Sequence, residues 1–151
     1  MKKLIGLLGE KRLAALMDPK NIGKIRRFCD KRLMLPTEIT LGGRTYEIVP
    51  LLDVQEDEID QRTMLKRARG NSNLTEDDFE HVEEFMDEIP KVLRGEVVFI
   101  VIPTQIKPSK KIIGVQIMEW NYGDENENGF WGTVGKIWTD WNDKACVLRK
   151  K

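Results

Sequence analysis

All four tryptophans, Trp120, Trp131, Trp138 and Trp141, fall with Tyr122 and Phe130 between residues 120 and 141. Connections in this stretch are short, so neighbouring strands must bring several of the rings together. Exposed rings stack on bases, sugars or a peptide, whereas buried ones simply form core beneath the helices. Trp131 and Trp138 are an odd number of residues apart, so a regular strand points them to opposite faces. One of the two then faces away from the main core. Trp120, Tyr122, Trp131, Trp138 and Trp141 are therefore a candidate aromatic recognition surface.

A second constellation is basic. Lys20, Lys24, Arg27 and Lys31 recur at i, i+4, i+7 and i+11, one face of a helix, with Arg26 and Arg32 beside them. Such a stripe suits nucleic-acid phosphates or an acidic partner. It is equally an ordinary solvated face, or one neutralised by the acidic segment 76–89. A third pattern, Asp124-Glu125-Asn126-Glu127-Asn128-Gly129, matches the first half of a calcium loop. Oxygens of Asp124, Asn126 and Asn128 would converge on the ion, and the glycine would permit the sharp turn. The twelfth position is Gly135 rather than a bidentate Glu, and the flanks read as strands, so an EF-hand is excluded. Tips of hairpins favour Asp, Asn and Gly without any metal. No other cofactor is implied.

Catalytic chemistry finds little support. His81 is the sole histidine and lies off the apolar stripe of an acidic helix, which reads as a solvated position. There is no glycine-rich phosphate loop, no His/Cys metal cluster and no serine elbow. Glu119 and Asp140 could form a carboxylate pair of the kind hydrolases use, but in so acidic a chain such pairs arise readily by chance.

The elements that would position these residues follow from periodicity and punctuation. Residues 3–17 read as a helix weakened by Gly6 and Gly9. Asp18-Pro19 starts a second, carrying Ile22, Ile25, Cys29 and Leu33 on one face and stopped by Pro36. Residues 37–50 read as a hairpin closed by Gly42-Gly43, with Ile39 facing Tyr46 and Glu38 facing Glu47. That last pair is unfavourable unless a cation is near. Two more helices are expected, over 56–69 and from a Thr75/Asp78 capping box to Pro90. Strands then follow over Val97–Ile102, Ile112–Trp120, Phe130–Asp140 and Ala145–Leu148. The expected fold class is α+β: an N-terminal helix pair, a β-hairpin, two further helices, then a C-terminal antiparallel meander of three or four strands.

Composition fits that class. At 151 residues one domain is the default, with 1–35 as a basic helical element docked on a core formed by 36–151. With 40% hydrophobic and 33% charged residues the chain can offset its conformational entropy, which excludes disorder. The longest relevant apolar run, Val97–Ile102, is far too short to span a membrane. Lys2-Lys3 and Leu4–Leu8 mimic a signal peptide, but Gly9-Glu10-Lys11-Arg12 ends the apolar stretch without a cleavage site. Cys29 and Cys146 alone make neither a disulfide framework nor a metal knuckle, which points to the reducing cytoplasm. The 25 basic and 25 acidic side chains cancel, but unevenly. Residues 1–33 hold ten basic and three acidic groups, net +7; the remainder holds 15 and 22, net −7. The function expected is non-enzymatic binding to another protein, through the Trp-rich sheet or the basic helix. Nucleic-acid binding is the second reading and a small carboxylate-dependent hydrolase the third.

Overall fold

A computed structural model of the chain describes residues 35–106, 114–123 and 129–151. The expected N-terminal helix pair lies outside the described residues, as do Lys20, Lys24, Arg27 and Lys31 and the calcium-loop positions Asp124, Asn126 and Asn128.

The hairpin pairs β1 (Glu38–Leu41) with β2 (Arg44–Pro50) in the register Glu38–Glu47, Ile39–Tyr46, Thr40–Thr45. Gly42 and Gly43 take φ angles of 53° and 80°, a region that disfavours L side chains, so the two glycines make the two-residue turn. The carboxylates facing each other at Glu38 and Glu47 are relieved by Lys151, whose ammonium bonds Glu38, and by Arg149, which lies opposite Glu47 on the next strand.

The acidic run 56–58 does not begin a helix. Glu56 instead folds back on the loop, accepting from the Asp53 amide at 2.7 Å and gripping the Arg67 guanidinium with both carboxylate oxygens. A two-residue strand, β3 (Ile59–Asp60), intervenes, and Asp60 then caps α1 (Gln61–Asn71) by accepting from Thr63 N at 2.7 Å. Helix α2 (Glu76–Glu84) carries a reciprocal cap: Thr75 Oγ1 accepts from Asp78 N, and Asp78 accepts from Thr75 N. It tightens into a 3₁₀ turn over Met86–Glu88 before Pro90.

The remaining strands are β4 (Val98–Val101), β5 (Val115–Asn121), β6 (Phe130–Lys136), β7 (Asp140–Trp141) and β8 (Ala145–Lys150). They overturn the expected α+β arrangement with its closing antiparallel meander. The described residues are mostly sheet, eight strands against two α-helices. One six-stranded sheet takes in the hairpin and runs β1-β2-β8-β4-β5-β6, while β3 and β7 pair apart from it. It is mixed, because β8 runs parallel to β4 and antiparallel to β2. The physical reason lies in β8 itself. Ala145, Cys146, Val147 and Leu148 are all buried, so this strand needs cover on both faces and belongs in the middle.

Alternation along the central strands makes two cores. Phe99, Val101, Met118, Cys146 and Leu148 face α2 and pack with Phe79 and Val82. Their neighbours Ile100, Ile117, Ala145 and Val147 face the other way, onto Met64 and Ala68 of α1. A buried polar link ties the helices to the sheet. Gln105 donates to Ser72 Oγ (2.9 Å), and Ser72 donates to the Leu148 carbonyl (2.8 Å). No helix among the described residues is long and apolar enough to cross a membrane.

Candidate functional site

Strand β5 ends in Glu119-Trp120-Asn121, beside the start of β6, and beyond it the chain leaves the sheet. Burial falls off here, and Glu119, Trp120 and Asn121 are all only partly covered. The five tryptophan and tyrosine positions therefore divide. Trp131 (3% exposed) and Trp141 (2%) are core, one in each cluster: Trp131 lies against Phe99, and Trp141 pairs with Ile59 in the small sheet. Trp120 is half-buried, while Tyr122 (72%) and Trp138 (40%) are open. Phe130, at 54%, joins them.

Trp120 is the pivot. Its ring stands edge-on to Trp131 at 6.0 Å, and the Arg94 guanidinium lies 4.0 Å over it. A Cβ on Gly129 would fall 2.4 Å from the same ring, so only glycine fits beside it. On one side of Trp120 is a groove of about 260 Å³ walled by Tyr122, Trp138, Glu119, Asn142 and Lys144. Its rim is held in place by short-range contacts. Lys136 bonds Glu119 at 3.0 Å and sits 5.0 Å over the Trp138 ring, which in turn tilts onto Trp141 at 5.1 Å. The Tyr122 hydroxyl rests on Gly95 (φ 76°), where a Cβ would come within 2.1 Å of it.

On the other side of Trp120 a cleft of about 350 Å³ runs between the end of α2 and β6. Phe130, Trp131 and Met86 give it apolar walls; Glu83, Glu84 and Asp87 line it with carboxylates. Glu83 accepts from the Thr133 hydroxyl at 3.2 Å. Among the described residues Arg94 meets none of these carboxylates, and its Nε is buried without an acceptor; so is Trp131 Nε1.

The structure thus brings Trp120, Tyr122 and Trp138 together and draws Trp131 and Trp141 inside. Arg94, Glu83, Glu84 and Asp87 were not singled out from sequence. Arg94 carries no local signal, and the carboxylates are part of the acidic segment 76–89, within which nothing marks these three out. His81 also needs correcting: it is no solvated bystander, since its Nδ1 hydrogen-bonds the buried Tyr46 hydroxyl at 2.8 Å and its ring packs on Phe85. Glu119 and Asp140 stand on different sheets, Glu119 ion-paired to Lys136 and Asp140 opposite Asp60. No three His, Cys, Asp or Glu side chains among the described residues are grouped to hold a metal ion. Comparison with protein-family models, curated proteins and solved structures finds no match for the chain.

Proposed function

We propose that this is a non-enzymatic binding protein that holds a protein partner against the aromatic end of its sheet. One observation carries the reading. Of the five large hydrophobic side chains exposed among the described residues, Tyr122 and Trp138 line the groove on one side of Trp120 and Phe130 lines the cleft on the other. Isolated exposed hydrophobics are ordinary, but a group of them rimmed by charge is characteristic of a contact surface. Tyrosine and tryptophan suit that role because they bury a large area with few rotatable bonds and keep a polar tip. The surrounding carboxylates, Glu83, Glu84, Asp87 and Glu119, disfavour a phosphate backbone and so favour a polypeptide over nucleic acid at this surface.

The test uses the double variant Tyr122→Ala, Phe130→Ala. Both side chains are more than half exposed, so melting temperature should change little. The partner that co-purifies from the native host should bind the variant at least about thirtyfold more weakly, as loss of one interfacial hot spot or more implies. Unchanged affinity, or retention of RNA or DNA instead of a protein at low salt, overturns the reading.

A further inference from the structure

The cleft between α2 and β6 is charged in a way the fold itself does not use. Its lining holds three carboxylates, Glu83, Glu84 and Asp87, and one guanidinium, Arg94. Arg94 nevertheless lies over the Trp120 ring and pairs with none of them. Glu84 and Asp87 have no hydrogen-bond or ion-pair partner among the described residues. The Arg94 side of the cleft has the reverse deficit. Arg94 makes no hydrogen bond or ion pair among the described residues, so its guanidinium lacks an acceptor, while its Nε and Trp131 Nε1 are themselves shut away from solvent. One side is short of a cation and the other short of acceptors.

We infer that this cleft receives a lysine or arginine side chain of the partner, with the adjoining backbone carbonyl of that residue on Arg94. The inference rests on the proposed protein-binding role and names the chemistry the partner must carry. A basic residue in an extended segment supplies both a cation and a carbonyl acceptor. Its aliphatic stem packs on Phe130, Met86 and the exposed part of Trp120, and its head reaches Glu84 and Asp87. About 350 Å³ holds such a side chain with its backbone, at the small end of ligand sites. A phosphate group would meet Arg94 but be repelled by three carboxylates; a simple amine would leave Arg94 without an acceptor.

The probe is a fluorescein-labelled octapeptide of alternating Gly and Arg, compared by anisotropy with Gly-Glu and Gly-Ser peptides of the same length. Only the basic peptide should bind. Glu84→Gln with Asp87→Asn should weaken it about tenfold or more, whereas Glu76→Gln with Asp77→Asn, at the other end of α2, should leave it unchanged. Arg94→Gln separates this site from a merely negative surface. Removing a positive charge tightens basic-peptide binding if net charge alone acts, but weakens it if Arg94 holds the carbonyl. Equal losses from both carboxylate pairs, or tighter binding by the Arg94 variant, overturns the inference. Binding of the native partner reads the two proposals separately. If the Tyr122/Phe130 variant loses the partner while the Glu84/Asp87 variant keeps it, the aromatic surface stands and the basic-residue pocket falls. If neither loses it, both fall.

Discussion

Asp78 shows how much a single side chain can hold at the residue scale. It closes the cap of α2 through the Thr75 amide (2.8 Å) and reaches across to Lys150 on β8 at 3.0 Å. Burial works to raise its pKa, but the Thr75 amide and hydroxyl together with Lys150 outweigh it, and the net shift is downward. A carboxyl lowered in the folded state stabilises the fold above its unfolded pKa of about 4, and that contribution is lost as pH falls through the folded value. Asp78→Asn should therefore cost about 1–2 kcal/mol at neutral pH, with the difference from wild type shrinking below about pH 4. Urea melts at pH 7 and pH 3 measure both. A variant equally destabilised at the two pH values would contradict the assignment. Tyr46 illustrates a different use of a polar group: burial raises its pKa, so the neutral hydroxyl persists and stays bonded to His81.

At the scale of elements the decisive piece is β8. Leu148 is buried in the α2-side core and its carbonyl accepts from Ser72. Leu148→Ala should destabilise by about 2–4 kcal/mol through lost burial and the cavity left behind, read as a lower urea midpoint with little change in slope. A loss below about 1 kcal/mol would mean that the site collapses or that β8 is not central. This same strand marks where sequence reasoning succeeds and fails. Local signals are physical and strong, so the Gly-Gly turn and the Thr75/Asp78 cap can be read from neighbouring residues. Partner choice between strands is non-local. The buried run Ala145–Leu148 says "two covered faces" but not which strands flank it, and proximity in sequence wrongly suggested β6. The acidic run 56–58 misled for a related reason: it fits a helix start by charge, yet Glu56 is used eleven residues away by Arg67. At the candidate site the odd spacing of Trp131 and Trp138 has no bearing, because β6 ends at Lys136 and Trp138 lies beyond the strand. No periodicity could place Arg94 on Trp120.

At the scale of the whole molecule, the two cores share every strand of the sheet's centre, with adjacent residues of β4 and β8 belonging to opposite clusters. Neither can empty without exposing the other. Trp131 reports on one and Trp141 on the other, so variants in which the other three tryptophans are Phe, keeping only Trp131 or only Trp141, give separate fluorescence probes. Their thermal transitions should coincide with each other and with far-ultraviolet circular dichroism. A separation beyond measurement error would show two cooperative units. Charge is distributed less evenly than the total implies: the described residues hold 12 basic and 19 acidic side chains, net −7. Part of that excess lines the cleft beside Trp120, where a cationic segment would be drawn in.

In the sheet order, β1 and β2 form one block and β4, β5 and β6 another, and β8 is the only strand hydrogen-bonded to both. The sheet is therefore a zip with a single slider. Taking away its six residues, Ala145–Lys150, would leave β2 and β4 as two unpaired edges and the sheet as two separate pieces. The same geometry makes the molecule a natural split reporter, two silent pieces that become one sheet when the slider is returned.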